Sequence, residues 1–190
     1  MNTFQSIYKE GEWQTSLPKK SDAALVFAFG DRHAMATSHM LSQLKSSFPE
    51  AEIVGCSTSG EIQGSEIHDE SIALTAVHFE KSHVVAKSDN ISNYADSSSL
   101  GAALVNQLDH NGLRYVFVVS DGQLINGSEL IEGITGALPK NVLVTGGLAG
   151  DQARFKETIV WHNDNVTKGL VVVVGFYGEK LNISHGTMGG

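Results

Sequence analysis

Three short stretches combine glycine with hydroxyl, thiol or carboxylate side chains. They are Ile53-Val54-Gly55-Cys56-Ser57-Thr58-Ser59-Gly60-Glu61-Ile62, Ser120-Asp121-Gly122 with Asn126-Gly127, and Val144-Thr145-Gly146-Gly147-Leu148-Ala149-Gly150-Asp151. Each follows an apolar run that reads as a strand, and in α/β sheets ligands bind beyond the carboxyl ends of strands. Glycine there admits positive φ and lets backbone N–H groups approach a ligand, so the stretches are expected to be loops forming small anion-binding nests. Ordinary tight turns are the competing reading for any one of them. The candidate ligand contacts are Cys56, Ser57, Thr58, Asp121, Gly146, Gly147, Asp151 and Arg154. Asp151 and Arg154, three apart, could fix a ligand carrying both an amine and a carboxylate, because an Arg fork matches a carboxylate bidentately. They could equally pair with each other at the surface. Cys56 could act as a nucleophile if an imidazolium or backbone dipoles favoured its thiolate, and is otherwise a small buried thiol. The segment around it is not Gly-x-Ser-x-Gly and no helical pattern follows Gly60, so a nucleophile elbow is excluded and no catalytic turnover is expected. Histidine and cysteine spacing supports no structural zinc site.

The elements that must position these residues follow from hydrophobic period. Residues 23–30 form an apolar run stopped by glycine, a buried strand, and 33–48 carry Met40, Leu41, Leu44 and Phe48 on one helical face before Pro49. Residues 71–79 alternate as a half-buried strand does, and 83–87 are expected to pair back on them as an antiparallel hairpin. A second helix begins near Asp96 to Ser99. A strand covers 114–120, and Asn126 and Glu129 stand at capping-box spacing before a third helix that Pro139 ends. Strands are expected at 142–145, 158–162, 169–176 and 181–185. The order β-α-β-β-β-α-β-α-β-β-β-β defines a mixed α/β (α+β) domain with about three helices and a sheet partly parallel and partly antiparallel. No internal repeat is legible.

Composition bounds the function. The 190 residues enclose one core, with 41% hydrophobic and 18% charged residues. The net charge of −8 argues against nucleic acid and acidic membrane surfaces as partners. One cysteine precludes an internal disulfide, and no signal peptide or membrane-length apolar run is present, which points to a cytoplasmic location. The 20 glycines against 3 prolines concentrate at strand ends.

Gly55-Cys56-Ser57-Thr58-Ser59-Gly60-Glu61, followed by Thr145-Gly146-Gly147-Leu148-Ala149-Gly150-Asp151 and then Phe155, Thr158 and Val160, strongly resembles the N-terminal FIST domain, a bacterial sensory module. The resemblance runs from about Asp22 to Ser184-His185-Gly186, leaving residues 1–21 as an N-terminal arm. It implies an intracellular domain that binds a small ligand and signals to a sensor histidine kinase or to a cyclic-di-GMP enzyme, a diguanylate cyclase or phosphodiesterase. Family members usually carry a second, C-terminal FIST module, which this chain is expected to lack. Some relatives look like haem proteins that sense nitric oxide, so noncovalent haem b is the first specific ligand, with a small metabolite such as an amino acid second. A Cys56-dependent hydrolase or transferase is the third reading. For haem iron the candidates are His185, on the same side as Leu181 and Ile183, and then His78, which shares a face with Ile72, Leu74 and Ala76. With aromatics at only 7%, a porphyrin wall is expected to be mostly aliphatic. Homo-oligomerisation stays open.

Overall fold

A computed structural model describes all residues except 36, 37, 185 and 187–190. The chain runs through β1 (Asn2–Lys9), β2 (Glu12–Trp13), β3 (Leu25–Gly30), α1 (Arg32–Met35), α2 (Ser38–Ser47), β4 (Glu52–Ser57), β5 (Glu61–Gln63), β6 (Glu66–His68), β7 (Ile72–His78) and β8 (His83–Asn90). It continues through α3 (Ser97–Val105), β9 (Leu113–Ser120), α4 (Gly127–Ala137), β10 (Leu143–Leu148), β11 (Val160–His162), β12 (Asn165–Thr167) and β13 (Leu170–Tyr177). The strands form a seven-stranded sheet, β12-β11-β4-β3-β7-β1-β2, a four-stranded sheet, β10-β9-β13-β8, and a separate β5-β6 hairpin. The expected mixture of parallel and antiparallel strands is therefore present, distributed over two sheets.

Strand alternation dictates how these sheets stack. On β3, Val26 and Ala28 point to one side and pack with Met40, Leu44 and Phe48 at α2, together with Ile72, Leu74 and Ala76 of β7. Leu25, Phe27 and Phe29 point to the other side and join Tyr115, Phe117 and Val119 of β9 and Val172, Val174 and Phe176 of β13. The second face of the small sheet, with Val116, Val118, Val171 and Val173, is covered by Leu100 and Leu104 of α3 and Leu130 and Ile134 of α4. The result is four layers, helix, sheet, sheet, helix, with three apolar seams. β13 reads Leu-Val-Val-Val-Val-Gly-Phe-Tyr because both of its faces are buried, and its β-branched side chains suit that position.

Helix starts follow local chemistry. Asp96 and Ser99 form a reciprocal capping box on α3, and the Asn126 side chain accepts from the N–H groups of Ser128 and Glu129 at α4. In the region of the expected helix over 33–48, the described residues Arg32–Met35 (α1) and Ser38–Ser47 (α2) are helical.

Four expectations are corrected. β7 and β8 do not form a hairpin: β7 lies between β3 and β1, with both edges occupied, and β8 pairs with β13 in the other sheet. The Glu80-Lys81-Ser82 connection lacks the Gly or Asn that a tight hairpin turn needs, so it serves as a crossing between sheets. Residues 1–21 do not stand apart as an arm, since β1 pairs with β7 along its length and β2 extends the sheet. Cys56, Ser57, Gly146 and Gly147 lie inside strands rather than in loops. Residues 181–184 form no strand.

An internal repeat also exists that the sequence conceals. β4-β3-β7-β1 and β10-β9-β13-β8 share one connectivity and one pattern of directions: parallel, antiparallel, antiparallel. In each set the chain runs from the outer strand to the second, crosses by a helix to its parallel neighbour, and returns between the first two. Hydrogen bonds repeat as well. Asp31 N donates to Ser71 O at 2.9 Å and Asp121 N to Leu170 O at 3.0 Å, while Thr58 N donates to Gly30 O and Ala149 N to Ser120 O. The excursion β11-β12 breaks the symmetry, leaving the second half to pair with β4 of the first.

Candidate functional site

The three glycine stretches converge where the parallel strands of both sheets end. Gly150 N donates to Ser57 O, Gln152 N to Ser59 Oγ, Ile159 N to Ser57 Oγ and Gly122 N to Thr158 Oγ1. Asp31 and Asp121 occupy equivalent posts after β3 and β9. Asp31 Oδ1 accepts from His33 N at 2.8 Å, and Asp121 Oδ1 accepts from Gln123 N and Leu124 N at 2.7 Å each. The second oxygen of Asp121 takes Gly169 N, and that of Asp31 takes the Arg154 guanidinium. Both carboxylates are buried.

Asp151 is the hub. Its Oδ2 accepts from Lys156 N and Glu157 N, and its Oδ1 lies 3.2 Å from Nε of both Arg32 and Arg154. Those last contacts are off-line for hydrogen bonds, so they hold by charge. Burial alone would raise the carboxyl pKa values. For Asp31 the Arg154 guanidinium and the N–H groups of its cap reverse this. For Asp151 the Lys156 and Glu157 N–H groups and the two arginines do so, and both carboxyls fall below the usual range. The groups that the spacing offered to a ligand, Asp121, Asp151 and Arg154, are thus matched within the protein. Asp151 and Arg154 latch the strap 151–157 onto the start of α1.

Gly55, Gly122, Gly146 and Gly150 answer to crowding rather than to conformation, whereas Gly60 holds a positive φ and an added Cβ on Gly147 would meet nothing within 4 Å. Gly55, Gly122, Gly146, Gly147 and Gly150 are not among the positive-φ residues, so they do not form nests. A Cβ on Gly55 would lie 1.7 Å from the Ala28 carbonyl oxygen, and one on Gly146 would lie 2.0 Å from that of Val118, its equivalent in the repeat. Thr58 Oγ1 and Ser71 Oγ both donate to the buried Glu61 carboxylate. Cys56 is buried in the inter-sheet seam, and burial pushes its thiol up to about 12, so it is not a thiolate at neutral pH.

A separate opening lies between the sheets. Phe27 and Phe29 of β3, Tyr115 and Phe117 of β9 and Phe176 of β13 line a cleft of about 250 Å³. Phe27 meets Phe117 edge-on at 5.2 Å between centroids, Tyr115 meets Phe176 at 5.3 Å, and Phe27 and Phe29 lie nearly parallel at 5.9 Å. Directly opposed residues share a face, so Phe27 is continued by Thr75 and Gln5, whereas Phe117 is continued by Thr145. Gln5 and Thr75 are bonded to each other, as are Tyr115 Oη and Thr145 Oγ1, which gives the apolar floor a polar rim. Sequence reasoning missed this site. Its signal was the pair of alternating aromatics, Phe27-x-Phe29 and Tyr115-x-Phe117, which low overall aromatic content obscured.

The histidines among the described residues lie elsewhere. His78 holds Asp22 through Nδ1 and lines a hollow of about 220 Å³ with Asn2, Thr3, Phe4 and Ser21 at the sheet margin. His162 bridges Ser88 and Glu52. His185 falls outside the described residues. Among the described residues no cluster of three or more metal-binding side chains occurs, and no helix is long and apolar enough to cross a membrane.

The chain is a four-layer α/β domain with latched strand ends and an open aromatic cleft. The family model of the FIST N domain matches residues 24–190, and the chain belongs to that family, which is a family of sensory modules. No match was found among curated proteins.

Proposed function

We propose that this sensory domain recognises a small, flat, largely apolar ligand in the inter-sheet cleft, and that cleft occupancy passes to a histidine kinase or a cyclic-di-GMP enzyme in the cytoplasm. The carrying observation is the concentration of five aromatic side chains at one opening, where stacked and edge-on rings suit an aromatic guest. A guest there touches both sheets, so it favours one inter-sheet spacing over another and gains leverage over the fold through differential contact. The test is fluorescence titration with 2-naphthol, a small, flat and largely apolar probe. Wild-type protein should bind it saturably, and Phe117→Ala should weaken binding about tenfold or more with the circular dichroism spectrum retained. Equal affinity in the two proteins would remove the cleft from consideration.

Haem fits the described residues poorly. None of their histidines lines the cleft, and 250 Å³ falls below the roughly 300–1,000 Å³ of pockets for drug-sized ligands. One observation keeps haem as the second reading: Leu181 and Ile183 pack on the same inter-sheet cluster, along the segment that leads to His185. Expression with haem supply should then give a Soret band that His185→Ala abolishes. A colourless protein, or a band that the substitution leaves intact, counts against His185 as the iron ligand.

A further inference from the structure

Another hollow, of about 440 Å³, lies on the helix-covered face of the small sheet, among β8, β9, β13 and the segment after α3. Three features distinguish it from a surface dent. Tyr177 forms part of its wall, is only 4% exposed, and carries a buried Oη whose own proton finds no acceptor. Buried hydroxyls are almost always satisfied, so an unspent donor here is an exception that calls for an acceptor. Burial and then the Asp109 carboxylate push this phenol above its ordinary pKa, against a smaller opposing effect of the Asp109 backbone N–H, so it remains a donor at neutral pH.

The second feature is a β-bulge. Phe176 pairs with Tyr115 but Tyr177 with Leu113, which leaves Arg114 as the extra residue and turns it toward the hollow. Lys87, on the neighbouring strand β8, lines the same space, and neither cation enters an ion pair among the described residues. The third feature is a prepared stacking surface. The His83 ring lies parallel to Tyr177 at 4.8 Å between centroids, within 6°, and His83 itself is exposed. Gly175 makes room for this arrangement, because a Cβ there would press on the Tyr177 ring and on Leu113, each at 3.1 Å.

An unspent phenolic donor, two unpaired cations and a flat ring edge call for an acceptor that carries charge and is joined to a planar body. Asp109 and Glu179 also line the hollow, and their charges oppose a dianion such as phosphate while tolerating a single negative charge. We propose that this hollow is a second ligand site, which takes a small planar monocarboxylate with its carboxylate at Tyr177, Lys87 and Arg114 and its ring beside His83.

The experiment uses the intact chain, with benzoate as the probe and the isosteric neutral benzamide as its control, followed by calorimetric titration at low salt. Benzoate should bind and benzamide should bind at least tenfold more weakly. Tyr177→Phe, which removes only the hydroxyl, should weaken benzoate about tenfold, consistent with a hydrogen bond to a charged group, and Lys87→Met should do likewise. Phe117→Ala, in the inter-sheet cleft, should leave benzoate affinity unchanged, which separates the two sites. Equal binding of benzoate and benzamide, unchanged affinity in Tyr177→Phe, or no heat from benzoate at millimolar concentration would each overturn the assignment.

Discussion

Gly55→Ala is expected to leave little or no folded protein. The added methyl would sit 1.7 Å from the Ala28 carbonyl oxygen, and that oxygen belongs to the neighbouring strand of the same parallel pair, so no side-chain rotation can relieve the clash. β3 and β4 would have to separate at the point where they also present Phe29 and Cys56 to the inter-sheet seam. Overpacking by a methyl in a yielding core costs about 1–3 kcal/mol. A backbone-to-backbone conflict in the central pair belongs to the rarer class above about 4–5 kcal/mol, comparable with the whole stability of many domains. Gly136→Ala supplies the contrast. Gly136 lies exposed in α4 with nothing within 4 Å of the added methyl, so that change should stabilise by about 0.5–1 kcal/mol through helix propensity. Urea unfolding followed by circular dichroism reads both. A Gly55→Ala protein with a midpoint near wild type would show that the strands do not approach as described.

Asp151→Ala should be the most damaging change to a polar side chain. It strands the Arg32 and Arg154 guanidiniums beside a lost partner and removes the acceptor for two backbone N–H groups of the strap. Breaking a buried ion pair from one side costs about 3–5 kcal/mol. The strap has its own reason to spring open, because Gln152 and Phe155 hold positive φ without being glycine, and Phe155 is 81% exposed. Loss of the hub should therefore expose the strap to limited proteolysis before the core melts. The same carboxylates set an acid limit. Asp31 and Asp151 titrate below the ordinary aspartate range when folded, so the unfolded chain binds more protons as pH falls toward and below about 4. Their stabilisation is fully present above that value and is lost below it. Melting temperature should fall steeply below pH 4 in wild type, and the portion due to the hub should vanish in Asp151→Asn. Parallel pH profiles for the two proteins would contradict the assignment.

How much of this was legible depended on the range of the interaction. α3 and α4 announced themselves through caps a few residues from their starts, and β13 through an unbroken β-branched run. The β7–β8 pairing was misread because nearness in sequence competes with partners far along the chain, and β13 offers β8 a full-length register that no local turn could match. Asp151 and Arg154 were recognised as a pair, but Asp31 and Arg32, which complete the latch from over a hundred residues away, were not. Gly55 and Gly146 were noticed for a freedom of backbone angle they do not use; their role depends on Ala28 and Val118, which only the register reveals. The repeat stayed hidden because each half keeps the topology and the post-strand aspartate while filling its seams with different side chains.

The excursion β11-β12 carries a consequence for synthesis. Residues 160–167 complete the edge of a sheet whose other strands lie within the first 78 residues, so β4 waits with an unpaired rim while the ribosome makes the next hundred. At roughly 5–20 residues per second that wait lasts several seconds or more. During it, the nascent first half presents Gly55, Cys56 and Ser57 as a bare template for strand addition. Escort by a chaperone, or slow translation placed after codon 170 rather than after codon 80, would suit a chain whose halves are interlaced in this way.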